Sequence, residues 1–345
     1  MKRVIFISLV FLLSSIQGLK AQFDTQLSNY WATINYFNPG YAGQSGNLEL
    51  TGLYRMQWLG IENAPRTGIV LAEMPFRFFG REHGVGASMY NDQIGLFKST
   101  TISGQYAYKT KLWGGSLGIG IQGGYIKQAF DGTGVDIPKD DEYYDPNDEA
   151  IPLTEVSGSS IDAAFGIFYQ HRKGFIGLSA THLLSPQLEL DENYILEIPR
   201  SYYFTAGYNI QLNNPLLELR PSVLLKTTEL SSWELTEDEN SEYSIVDVPR
   251  ENAIKGMLKQ TQIDVSLRMI YNKTFWGGVS WRKDDAVVIM LGGRFKVLEV
   301  GYAYDFPISD IIKASSGSHE LFVKYVVDLN LQKRTKNKHK SVRIL

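Results

Sequence analysis

The chain contains no cysteine in 345 residues. That absence excludes disulfide staples, thiolate metal centres, cysteine nucleophiles and a lipid-bearing cysteine. Histidine is scarce as well, with 5 in all, His83, His171, His182, His319 and His339. No G-x-S-x-G elbow accompanies them, so a hydrolase triad has no local signature and no enzyme is expected. Neither sign of charge is in excess: 34 Lys and Arg against 37 Asp and Glu leave a formal net charge of -3. A chain without a basic field lacks the electrostatic footprint of a nucleic-acid binder. After the amino-terminal run no stretch of about 18 consecutive apolar residues occurs, so no second transmembrane helix is expected. What is abundant is glycine (32) and tyrosine (20), and an aromatic content of 12% is too high for a wholly disordered chain.

The first residues have the layout of a secretory signal. Lys2 and Arg3 precede an apolar run from Val4 to Leu13, and a small, polar stretch follows to Ala21. The expected divisions are a cleaved signal peptide over 1–21, a periplasmic or lumenal segment over 22–46, a transmembrane barrel over 47–330 and a basic periplasmic tail over 331–345. An exported chain with no disulfide needs another source of stability, and a closed barrel in a membrane supplies one.

Period-2 alternation dominates the rest. Leu48, Leu50, Gly52, Tyr54, Met56 and Trp58 interleave with Glu49, Thr51, Arg55 and Gln57, and Ile263, Val265, Leu267, Met269 and Tyr271 interleave with Asp264, Ser266 and Arg268. Fourteen such segments are read: 47–58, 67–74, 84–91, 97–109, 115–129, 159–170, 175–182, 201–210, 217–226, 262–271, 275–281, 286–295, 298–305 and 319–329. Proline cannot donate to a β-ladder, and all of the 12 prolines except Pro221 fall between these segments or at their edges. The longest connections, 130–158, 183–200 and 227–261, all follow odd-numbered strands. Residues 131–155 carry nine acidic residues and one basic, and 229–251 carry eight and one. The connections after even strands are short and hold Arg77, Arg81, Lys111, Arg172, Lys173, Lys273 and Lys296. Even strand number, short periplasmic turns and long outer loops describe an all-β, outer-membrane β-barrel of about fourteen antiparallel strands. Many segments end in Tyr or Trp, where an aromatic girdle would lie.

Several stretches resemble the PorP/SprF family of type IX secretion system outer-membrane proteins. Asn38-Pro39-Gly40-Tyr41-Ala42-Gly43 is close to the family's opening N-P-A-Y-A-G, with Gly40 in place of Ala. Tyr54-Arg55-Met56-Gln57-Trp58-Leu59-Gly60 followed by Ala64-Pro65 resembles Y-R-x-Q-W-x-G and A-P. Asp92-Gln93-Ile94-Gly95 resembles D-x-I-G, and Pro221-Ser222 with Lys226 resembles P-S-x-x-x-K, which accounts for the exceptional proline. Gly301-Tyr302-Ala303-Tyr304-Asp305 resembles G-Y-S-Y-D, and Gly317-Ser318-His319-Glu320 resembles G-S-H-E. The resemblance implies a role in protein export or surface display. Its partners would be the C-terminal domain of a secreted surface adhesin, periplasmic and outer-membrane secretion components, and outer-membrane lipid. A different class of function, a channel or transporter for hydrophobic or small solutes, stays open.

Three groups of residues are candidates for function. The segment 22–46 carries Tyr30, Trp31, Tyr36, Phe37 and Tyr41, too apolar for a solvated tail, and is expected to plug the barrel or dock a periplasmic partner. Arg55, Gln57, Lys226, Asp264, Arg268 and Asp305 lie on the polar parity of their strands, where a charged lumen network is expected. Asp140, Asp141, Glu142, Asp145, Asp148 and Glu149 offer hard oxygen atoms, but no EF-hand spacing occurs, so no metal or cofactor is expected. The run Gly118-Ile119-Gly120-Ile121-Gln122-Gly123-Gly124 lacks the Lys-Ser/Thr ending of a phosphate loop and reads instead as strand curvature or close packing against a plug.

Overall fold

The computed structural model describes residues 25–134, 152, 154–191, 194–229, 233–237, 243–247 and 260–329. The signal segment, the basic tail and most of the two acidic loops lie outside the described residues. Fourteen strands form the wall: β1 Asn47–Met56, β2 Arg66–Phe78, β3 Arg81–Ile94, β4 Phe97–Leu112, β5 Gly115–Asp131, β6 Glu155–His171, β7 Gly174–Thr181, β8 Ser201–Tyr208, β9 Leu217–Thr228, β10 Gln262–Tyr271, β11 Phe275–Arg282, β12 Ala286–Phe295, β13 Leu298–Pro307 and β14 Ser318–Asp328. Each pairs antiparallel with its neighbours in sequence. The ends meet, since β1 pairs with β14 from Asn47↔Asp328 to Met56↔His319. The cylinder is closed, so no row of backbone N–H and C=O groups is left at an edge.

Alternation determines what each strand shows to its two sides. Along β1, Thr51, Leu53 and Arg55 are buried toward the lumen, whereas Leu50, Tyr54 and Met56 are exposed on the outside. The outward set around the barrel is aliphatic at mid-height, with Val70, Ile102, Ile121, Leu178, Leu267, Val279 and Ile289. Exposed Phe78, Phe79, Trp113, Tyr208, Tyr271, Phe275 and Phe295 ring one end, and Tyr54, Tyr202, Trp281 and Phe306 ring the other. Such a band would be an aggregation hazard in water and is what a bilayer solvates.

The turns after even strands, except the one after β8, are tight. Phe79-Gly80 and Trp113-Gly114 join β2 to β3 and β4 to β5 with positive φ at both central residues (46° and 70°, 44° and 78°). This is the backbone sense of a type I′ hairpin, and it is why Gly takes the second position. The turns after odd strands include the long ones, and the connection from β7 to β8 folds into its own hairpin, Gln187–Asp191 with Tyr194–Glu197. A second hairpin, Trp233–Glu237 with Tyr243–Asp247, lies in the connection from β9 to β10.

Several boundaries differ from the sequence reading, and two of them bear on its proline and connection arguments. β2 runs on through Pro75 to Phe78, so Pro75 is inside a strand, opposite Gly84. Strand β8 stops at Tyr208, and only Ile210–Gln211 resume pairing, against the start of β9. Pro75 keeps the buried parity of β2, whereas the alternation fades at the end of β8.

The core is inside the cylinder, around residues 25–46. This segment has two short 3-10 turns, Tyr30–Ala32 and Pro39–Tyr41, and a single helical turn, Ile34–Phe37. Its Leu27, Tyr30, Ile34 and Phe37 pack with wall residues Leu53, Ile69, Phe168, Tyr203, Trp276 and Phe322.

Candidate functional site: a plug held along the lumen

The segment begins in the outer half of the lumen, where Thr25 Oγ1 and the Tyr90 hydroxyl are 2.7 Å apart. It is fixed there by a buried charged cluster. Glu320 on β14 is fully buried and accepts hydrogen bonds from the backbone N–H groups of Ser28 (2.8 Å) and Asn29 (2.7 Å) and from Asn29 Nδ2 (2.8 Å). Ser28 Oγ donates to the Asp305 carboxylate at 2.7 Å. Arg55 bridges both acids, at 2.7 Å to Asp305 and 3.3 Å to Glu320, and donates to Ser28 Oγ at 2.9 Å. Arg282 adds contacts to Asp264 (2.7 Å), Asp285 (3.1 Å) and Asp305 (3.2 Å). Two guanidinium groups thus face four carboxylates, and plug N–H donors supply part of the balance through charge-assisted bonds.

Halfway down, the Tyr30 hydroxyl sits 2.9 Å from Ser222 Oγ and 2.7 Å from Ser266 Oγ, which are 2.9 Å from each other.

In the inner half the attachment is by backbone. Asn38 Nδ2 donates to the carbonyls of Ile167 and Leu178, each at 3.2 Å, while its Oδ1 accepts from Gly40 N at 3.0 Å. Tyr41 stands edge-on to Phe168 with centroids 5.0 Å apart. Gly43 N donates to Glu73 at 3.2 Å, and the residue adopts φ of 64°. Here the wall glycines acquire their meaning. A Cβ on Gly118 would lie 2.2 Å from the Gly40 carbonyl oxygen, and one on Gly120 would lie 2.3 Å from Pro39 backbone atoms. A Cβ on Gly40 would itself lie 2.8 Å from the Gly166 oxygen, so the departure from Ala at this position matches a closer approach of plug and wall.

Many of the remaining sequence candidates meet at the outer rim. Gln57 N donates to the Pro65 carbonyl (2.9 Å), and Trp58 N donates to Ser318 Oγ (3.1 Å). Leu59 N donates to the Gly317 carbonyl (2.8 Å) and Ser316 N to the Leu59 carbonyl (2.7 Å), stitching the first and last outer loops across the β1–β14 seam. Trp58 and Gly60 take positive φ in that loop, and Gly95 N donates to the Asn63 carbonyl (3.0 Å). Thr67 Oγ1 donates to Asp92 at 2.5 Å. The Tyr302 hydroxyl is 2.6 Å from His319 Nδ1, and the Tyr304 hydroxyl donates to the Ser316 carbonyl. Tyr54 faces outward, and Pro221 lies in β9 opposite Leu267 of β10. Lys226 is buried on the lumen side.

Sequence reasoning missed Arg282, Asp285, Ser28 and Asn29. Arg282 had a signal, since it continues the lumen parity of Ser280, but the strand was read one residue short. Asp285, Ser28 and Asn29 had none, because their positions depend on the closed tertiary structure.

Two cavities flank the plug. The outer one, of about 280 Å³, is lined by Tyr36, Phe37, Tyr90, Phe97 and Tyr203, with Asp162 and His182 paired at 2.8 Å on its wall. The inner one, of about 370 Å³, is polar and holds Arg220, Arg268, Lys273, Arg294 and Lys324. Among the described residues no group of three His, Asp or Glu side chains is placed to hold a metal ion. The acidic run from Asp140 to Glu149 lies outside the described residues.

Comparison with known proteins adds the following. Solved structures similar to this chain include the Pseudomonas putida toluene transporter TodX (9% identity, TM-score 0.46, covering 89% of this chain and 95% of that one). They also include a Pseudomonas aeruginosa FadL homologue (10%, TM-score 0.42, 82% and 89%) and BamA from Haemophilus ducreyi lacking POTRA domains 1–3 (11%, TM-score 0.40, 81% and 69%). No curated protein sequence matches the chain. The description "Type IX secretion system membrane protein PorP/SprF" matches residues 19–236 and 253–325, which is most of the chain. This closed barrel is an outer-membrane protein, and it belongs to the PorP/SprF family of the type IX secretion system.

Proposed function

We propose that this protein is a non-enzymatic, sealed barrel that binds rather than conducts. In this reading its outer mouth holds the C-terminal domain of a secreted surface adhesin, and its inner end meets periplasmic and outer-membrane components of the secretion apparatus. The observation that carries the reading is the plug: residues 25–46 are bonded to the wall at the top, middle and bottom of the lumen. A lumen crossed by a segment with buried ion pairs at one end and backbone-to-backbone contact at the other favours a rigid platform over a conduit. The stitched outer rim supports the same reading, because it fixes the surface that a partner outside the cell would meet.

The test pairs two measurements on the full chain. In planar bilayers the protein is expected to stay closed, and in membranes it is expected to copurify with a surface protein carrying the cognate C-terminal domain. A steady open conductance with no protein partner would overturn the proposal. One observation favours a second reading, a transporter of small hydrophobic solutes: the aromatic lining of the outer cavity. Uptake of a hydrophobic solute into liposomes that depends on the protein would select it.

A further inference from the structure

The inner cavity carries a pattern that the secretion role does not use. Its charged lining is mostly cationic, with Arg220, Arg268, Lys273, Arg294 and Lys324 against the acids Glu49 and Glu299. Two of the cations are neutralised locally: Lys324 pairs with Glu49 at 3.2 Å and Arg220 with Glu218 at 2.9 Å. Arg268 is different. It is 5% exposed, and among the described residues no carboxylate lies within ion-pair distance of it. Its guanidinium carbon lies over the Trp31 ring of the plug, 3.4 Å from the centroid. Glu299, the remaining acid of the cavity, is opposite Arg294 in register and forms no ion pair with it.

Unpaired donors cluster at the same place. Arg268 Nε, Trp31 Nε1 and Trp276 Nε1 are all buried, and none has an acceptor among the described residues. An indole N–H and a guanidinium N–H only donate. Three buried donors from three elements, the plug, β10 and β11, therefore border one cavity in which Arg268 has no ion-pair partner among the described residues. Buried donors and buried charges are stable when an acceptor of opposite sign completes them. A guanidinium offers paired N–H donors that match the oxygens of a carboxylate or phosphate, and the indole N–H groups of the same lining can add to them.

We infer that the inner vestibule is an anion-binding site, with Arg268 as its charge and the Trp31 and Trp276 indoles as its additional donors, for a carboxylate or phosphate group entering from the periplasmic side. Lys273, in the turn between β10 and β11, and Arg294, near the end of β12, supply an attractive field at the entrance.

The experiment uses the full-length protein in detergent, titrated with inorganic phosphate and, separately, with succinate, read by calorimetry and by tryptophan fluorescence. Saturable binding of one or both is expected. Arg268→Gln should weaken it about tenfold or more, and Trp276→Phe, which keeps the ring and removes the donor, should weaken it by a smaller factor. Lys313→Gln, on the outer loop, should leave it unchanged. Saturation by phosphate alone identifies a tetrahedral anion, and by succinate alone a carboxylate. The inference falls if neither probe saturates, or if both Arg268→Gln and Trp276→Phe bind as the parent does. Should Arg268→Gln fail to assemble, the Trp276→Phe titration alone decides.

Discussion

Glu320 is the residue on which the plug depends. Its carboxylate satisfies two backbone N–H groups and one amide of the plug while also pairing with Arg55. Replacing it by Ala leaves three buried donors without their acceptor and takes one of two carboxylates from Arg55, so Glu320→Ala is expected to cost about 3–5 kcal/mol in urea unfolding of the reconstituted barrel. Arg77→Ala, which removes an exposed pair with Glu82, should cost no more than about 1 kcal/mol in the same assay. Glycine gives a second contrast. Gly118→Ala pushes a methyl group into the Gly40 carbonyl and is expected to cost about 1–3 kcal/mol. Gly52→Ala, which meets nothing within 4 Å, should be near neutral by the same unfolding measurement. At this scale the sequence was partly legible. Arg55 and Asp305 stood out as charges on the lumen parity, and Glu320 through the family resemblance. Their partners on the plug did not, because Ser28 and Glu320 are 292 residues apart and no periodicity connects them.

At the level of elements, strands announce themselves and the plug does not. A wall strand repeats its two environments every second residue, so fourteen segments were readable from alternation alone. Pro75 escaped because a proline cannot donate to the ladder and so reads as a boundary, although it keeps the buried parity of β2. The plug has turns of only three or four residues, too short for any period to emerge. Its composition showed that it is ordered, but its path required the structure. Deleting residues 25–46 removes the core of the lumen along with the partners of Glu320, Asp305 and Ser222. The variant is expected to show ion conductance in planar bilayers where the parent is closed. Equal conductance of the two proteins would mean that the segment does not seal the lumen.

The molecule as a whole is organised by closure. Removing β14, by ending the chain before Ser318, leaves β1 and β13 with open edges that lipid cannot hydrogen-bond. Such a chain is expected to be lost from the outer-membrane fraction and degraded, measured by fractionation and immunoblotting. The asymmetry between the two ends of the barrel was also visible in the sequence, as long connections of one parity and basic turns of the other. The positive vestibule was not, since Arg268, Trp31 and Trp276 come from three separate elements that only closure brings around one space.

The grip of Glu320 on Ser28 and Asn29 also bears on the order of events during biogenesis. The donors are among the first residues of the described chain to leave a ribosome, and the acceptor is on the final strand of the wall. Until that strand arrives, the early segment has no partner for its amides, and the cylinder has no closing strand. Both deficits are cured in one step, when β14 zips onto β1 and brings Glu320 over the waiting segment. Insertion machinery that releases its client only on closure would therefore release a barrel already filled, with no interval in which an unoccupied pore could leak across the membrane.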